Sequence, residues 1–196
     1  MTWQCVNLAE VAPSPWRNGG GTTRELVAWP NAQDWVWRMS VAEVTQGGPF
    51  SRFDGVQRWF AVLSGAGVEL QLQVAKHPRA PLQTQHQVLT MDSGAFSFDG
   101  ATPVECSLMD GPTQDFNLML RKDQASGTMR KFMGTVCVEL DAPKTVAVYA
   151  IDTGAKATFS NESVNLDAGW LAWRSVPAQA EVHLEAASAL WMEIAV

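Results

Sequence analysis

Histidine, cysteine and tyrosine are scarce in this chain, at three, three and one residues among 196. His77, His86 and His183 form no HxH or HxxxH pair, so local spacing places no two imidazoles on one ion. A histidine-built metal site is therefore not expected, and all three are read as surface residues. Cys5, Cys106 and Cys137 are odd in number, widely spaced and free of any CxxC pair. They read as reduced thiols of a cytoplasmic protein, with Cys106 and Cys137 packed within strands. No GxSxG elbow offers a serine nucleophile. Charged residues make up only 17%, the net charge is −6, and lysine and arginine nowhere cluster. Nucleic acid and anionic membranes are thereby poor partners. No apolar run approaches the roughly 18–20 residues that span a bilayer. The start "MTWQCVNLAEVAP" has neither a basic nor an apolar signal region, so no signal peptide is expected. Helical apolar spacing is missing too, apart from a weak pattern in "DQASGTMRKFMG", residues 123–134, interrupted by Gly127 and read as a bridge between two halves.

What the chain does have is apolar content, 46%, with nine tryptophans, and period-two alternation repeated along its length. In "VELQLQV" Val68, Leu70, Leu72 and Val74 point one way and Glu69, Gln71 and Gln73 the other. "DWVWRMSVAEV" sets Trp35, Trp37, Met39 and Val41 against Arg38, Ser40 and Ala42. "VECSLMDG", "DFNLMLRK", "TVCVEL", "TVAVYAI", "AEVHLE" and "ALWMEIAV" are further strand candidates, and "RWFAVLSGAGVEL" reads as a hairpin. "LTMDSGAFSF" (89–98) and "VNLDAGWLAW" (164–173) share an Asp–small–Gly turn between apolar segments, a faint internal repeat. Many short strands and this repeat predict an all-β chain of two jelly-roll lobes, residues 1–122 and 123–196, with exchange of strands between them allowed.

Two loops carry polar groups worth placing. "PWRNGGGTTRE" (15–25) has three consecutive glycines, yet it matches neither GxxxxGK[ST] nor GxGxxG, so it is no nucleotide loop. Thr22 and Glu25 fit a capping box, but Pro30 cuts the following segment short, and a strand entered from a glycine turn fits better. "GGPFSRFDGVQR" (47–58) is rich in turn signals, with Phe50 and Phe53 as anchors and Arg58 opening the next strand. An arginine at a barrel mouth is a ready fork for a carboxylate. "DFNLMLRK" puts Asp115 and Asn117 on one strand face, so Asn117 orients a ligand if that face lines a cavity.

"PWRNGGGTTRELV", "WRMSVAEVTQGGPFSRFDGVQRWFAVLSGAG" and "DFNLMLRK" together resemble the HutD/Ves family, and its HutD branch most closely. The resemblance covers residues ~13 to ~122 best. It implies a bicupin, two cupin-like barrels in one chain, forming a homodimer. It also implies an association with histidine utilisation in a regulatory or small-molecule-binding role, without cofactor. The positions it carries over are Asn18, Gly19, Gly20, Thr22, Arg24, Glu43, Ser51, Arg58 and Asn117, with a basic residue kept at Arg17. The resulting expectation is a metal-free binder of a small anionic metabolite, such as urocanate or a formylated glutamate-type acid. Arg58 would hold the carboxylate, Asn18 and Asn117 would orient it, and Gly19 and Gly20 would shape the pocket. The rival expectation is a cofactor-free isomerase or hydrolase with Glu43 as general base and Arg58 as oxyanion stabiliser. A third is a module whose output is a protein partner.

Overall fold

A computed structural model describes residues 2–75 and 80–196; His77 lies outside the described residues. The strands in chain order are β1 (Gln4–Asn7), β2 (Ser14–Pro15), β3 (Gly21–Trp29), β4 (Trp37–Val44), β5 (Gly48–Pro49), β6 (Val56–Ser64), β7 (Val68–Val74), β8 (Gln83–Leu89) and β9 (Phe96–Asp99). They continue as β10 (Val104–Leu108), β11 (Thr113–Arg121), β12 (Ser126–Leu140), β13 (Lys144–Ala150), β14 (Ala155–Phe159), β15 (Glu162–Leu166), β16 (Trp170–Val176) and β17 (Ala180–Ala195). One 3-10 turn, Leu8–Glu10, is the helical exception among the described residues. None of it is long and apolar enough to be a membrane-crossing helix. Most of the weakly helical pattern at 123–134 is instead the start of β12, from Ser126 on, where Met129 alternates into the core with its neighbours outward.

The chain divides into two compact units, Pro13–Asp123 and Met1–Ala12 with Gln124–Val196. The sequence places residues 1–12 with the N-terminal lobe; the structure groups them with the C-terminal one, because β1 pairs antiparallel with β16.

In the first of these units a six-stranded sheet, β2-β3-β4-β11-β6-β9, faces a four-stranded one, β5-β10-β7-β8. The segment "RWFAVLSGAGVEL" is not a hairpin. Strand β6 pairs with β11 and β9, whereas β7 pairs with β10 and β8, so the Gly65–Gly67 turn carries the chain from one sheet to the other. Phe60, Val62, Leu70, Leu72, Phe98, Val104 and Cys106 fill the interior between the sheets.

In the other unit one sheet runs β1-β16-β13-β17-β14-β15, with β12 along the far side of β17. The separate candidates "AEVHLE" and "ALWMEIAV" are a single strand, β17, whose first half pairs with β14 and second half with β13. Val146, Val148, Ala157, Leu166, Val182, Leu184 and Trp191 form its core.

Both units hold the same pattern of nested pairs. β6 pairs with β9 around β7–β8, and β13 pairs with β16 around β14–β15. The repeated Asp–small–Gly turns sit at equivalent places, between β8 and β9 and between β15 and β16. A strand that ends one nest and closes the other is continuous as β17 in one unit and split into β10 and β11 in the other.

Candidate functional site

The site stands on three neighbouring strands. Antiparallel register aligns Arg38 on β4, Met119 on β11 and Arg58 on β6 in one row, and Ser40, Asn117 and Phe60 in the next. Because side chains alternate across a strand, all six point to the same face of the sheet. That face meets a cavity of about 460 Å³, closed at its rim by Trp16, Arg17 and Asn18 from the glycine loop and by Phe50, Ser51 and Phe53 from the loop before β6.

Arg58 is the centre of this arrangement, only 7% exposed. One Nη donates to the Asn117 side-chain oxygen at 2.8 Å, and the other reaches the Ser51 carbonyl at 3.4 Å. Three phenylalanine rings surround the guanidinium, Phe98 at 5.0 Å, Phe50 at 5.2 Å and Phe53 at 5.8 Å from their centroids. Its Nε has no hydrogen-bond partner, and among the described residues no carboxylate lies within ion-pair distance. Burial first, and then the charge of Arg38, bring the guanidinium pKa down to about 10, so it keeps its proton at neutral pH. A charge taken out of water without a counter-charge costs several kcal/mol unless something supplies one.

Arg38 is the second cation. It donates through Nε and Nη to the Met119 sulfur at 3.3 Å, lies over the Trp35 ring at 4.8 Å, and pairs with Glu25 at 3.5 Å. With Arg17 it makes three arginines in the lining, against no aspartate, glutamate, histidine or cysteine. In a chain of net charge −6 this is a strong local reversal of sign. The donor set suits an anion. It does not fit the histidine-and-carboxylate metal centres that small jelly rolls of the cupin type hold.

The glycine loop builds the rim. Gly19 takes a left-handed turn at φ 73, and Gly20 N–H donates to the Asn18 side chain at 3.1 Å, holding that amide at the cavity. A Cβ on Gly21 would collide with the Glu43 carbonyl and press on the Trp16 ring, so the bare glycine leaves room for Trp16 beside β3. The Trp16 indole then donates to Thr23 at 2.7 Å.

Of the nine expected positions, Asn18, Ser51, Arg58 and Asn117 come together around the cavity, and Gly19 and Gly20 shape its rim from outside the lining. Thr22, Arg24 and Glu43 do not reach it. They register with one another's strand as Thr22 opposite Glu43 and Arg24 opposite Val41, on the sheet face away from the cavity. Thr22 and Glu43 side chains lie 3.5 Å apart. Arg38 and Trp16 are the residues that sequence reading passed over. The signal for Arg38 was present, since alternation puts it with Ser40 and Ala42 on the face opposite the large apolar residues.

A family model, HutD, matches residues 8–192. The chain belongs to the HutD family. A 21.2 kDa Pseudomonas putida protein described as lying in the hutC 3′ region is 33% identical over 163 residues, 82% of this chain and 80% of that protein. HutD from Pseudomonas fluorescens SBW25, solved in a formate condition, superposes with a TM-score of 0.80 at 24% identity over 98% of each chain. Lactobacillus farciminis oxalate decarboxylase, in a formate complex, gives a TM-score of 0.66 at 9% identity over 97% of this chain and 85% of that one. At such identities the two structures speak for the fold alone, all-β and cupin-like.

Proposed function

We propose that this HutD-family protein binds a small organic acid in the Arg58 cavity and serves as a regulatory component associated with histidine utilisation. The observation that carries the reading is a buried guanidinium facing a cavity with no acid of its own. A ligand carboxylate supplies the missing counter-charge, and the planar fork of Arg58 meets both its oxygens. Asn117 holds one end of the fork in place, Asn18 and Ser51 offer hydrogen bonds beside it, and the phenylalanines exclude water and strengthen the pair. A relative supports the association with histidine utilisation, since it lies in a hutC 3′ region. Urocanate and a formylated glutamate-type acid are ligands of suitable charge, and the matching nested strand pattern of the two units favours a two-barrel, bicupin architecture.

The enzyme reading depended on Glu43 as base beside Arg58. Glu43 points to the opposite face of β4, so the cavity wall lacks that base. Native mass spectrometry on protein taken from cells grown on histidine tests the proposal. A retained small acid, absent from an Arg58→Ala preparation, is the expected result. Protein that carries no acid and shows no thermal shift with urocanate or N-formylglutamate would defeat the binding assignment.

A further inference from the structure

The outer face of the β12–β17 ribbon carries a two-by-two block of potential ligands. Cys137 lies directly opposite His183, and Glu139 directly opposite Glu181. Both pairs occupy alternate positions on their strands, so all four side chains project from one exposed face while Val138 and Val182 point into the core. The Cys137 sulfur, a His183 ring nitrogen and a Glu181 oxygen all lie within 4.8 Å of one another. His183 Nε2 is 3.8 Å from Glu181.

We infer that Cys137, His183 and Glu181 form a binding site for Zn²⁺ or a similar borderline divalent cation, with the fourth position left to water or to Glu139. Three observations carry it. First, the donor set is thiol, imidazole and carboxylate, the mixture that zinc takes in tetrahedral sites. Second, the spacing is right: ligand atoms about 2.0–2.3 Å from one zinc ion are roughly 3.3–3.8 Å apart. Rotation of exposed side chains closes the remaining ångström without moving the ladder. Third, like charges placed directly across a ladder repel, yet Glu139 and Glu181 are so placed, with no lysine or arginine ion pair to either among the described residues. Sequence spacing hid the site because its ligands come from strands over forty residues apart, and the searched HxH and HxxxH patterns are local.

Cobalt(II) titration of the reduced full-length protein tests the inference, since a thiolate on Co²⁺ gives a charge-transfer band. The expected result is one equivalent bound with that band, displaced by Zn²⁺. Cys137→Ser removes the band, and His183→Gln and Glu181→Gln each weaken Zn²⁺ binding about tenfold or more. Cys5→Ser leaves both unchanged. All four positions are exposed, so circular dichroism should show folded variants. Absence of the band in the wild type, or a band that survives Cys137→Ser, overturns the site.

Discussion

The two units share a nested strand pattern but treat buried charge in opposite ways. In the unit containing β12–β17, Arg174 is 6% exposed, lies over Phe159 at 4.4 Å and Trp3 at 5.4 Å, and pairs with Glu162 at 2.7 Å. Glu193 there pairs with Lys144 at 2.8 Å and accepts from the Trp191 indole at 2.9 Å. In the cavity unit, Arg58 has the same aromatic enclosure but no acid. Asp115, 0% exposed, accepts from the Thr113 hydroxyl at 2.8 Å, while its other oxygen has no hydrogen-bond partner. Arg174 is balanced by an acid of its own unit; Arg58 has none and faces a cavity. The difference separates an arginine paired with an acid of its own fold from one that faces a cavity without one.

The largest contrast comes from removing each arginine. Arg58→Met should lower affinity for a small carboxylate by about 2–5 kcal/mol, measured by calorimetry. Urea unfolding of the ligand-free variant should show unchanged or higher stability, because a buried unpaired charge is replaced by an apolar chain of similar reach. Arg174→Met should do the reverse, leaving affinity untouched and lowering stability by about 1–3 kcal/mol through the broken pair with Glu162. Equal effects of the two substitutions on binding would erase the distinction.

Next is the support of Arg58. Asn117→Leu removes its one short hydrogen bond, so carboxylate affinity should fall about tenfold or more, with no rescue by added salt.

The titrating acids give a smaller, sign-dependent contrast. Burial holds Asp115 up to about 7, against the downward pull of Thr113. Its folded pKa exceeds its ordinary value of 3.8, so its contribution to stability is full below that value and is lost as pH rises through about 7. For Glu193 burial pushes upward, but the Lys144 and Trp191 hydrogen bonds outweigh it and hold the pKa below the ordinary 4.5. Its contribution is present above that value and is lost as pH falls. Urea unfolding across pH 3–8 should therefore show Asp115→Asn removing a decline toward neutral pH, and Glu193→Gln removing a decline toward acid.

The smallest effect belongs to Glu43→Gln, which should change carboxylate affinity less than about twofold, since that side chain faces away from the cavity. A large loss would return Glu43 to the site.

Alternation made much of the fold readable. "VELQLQV" is β7 with Leu70 and Leu72 inward, and Asn117 lies on the polar face of β11 as its spacing required. What alternation cannot carry is which strands pair. Gly65 and Gly67 look like a hairpin turn in sequence, yet they join two sheets, because each flanking strand finds a more distant partner. The same limit governs the site. Arg58 and Asn117 were legible as polar residues facing a shared cavity, whereas the meeting of Arg38 with Arg58 across Met119 needed the register of three strands. Thr22, Arg24 and Glu43 came from the family resemblance rather than from alternation, and the register puts them on the sheet face away from the cavity, since one residue of phase in a strand separates the two faces.

The central claim is that Arg58 takes its counter-charge from a ligand carboxylate, and a double cycle tests it most directly. Calorimetric affinities of wild type and Arg58→Met for urocanate and for urocanate methyl ester give four numbers. The account predicts that the wild type prefers the acid by about thirtyfold or more, and that the preference vanishes in Arg58→Met. An acid preference that survives intact in Arg58→Met would contradict it.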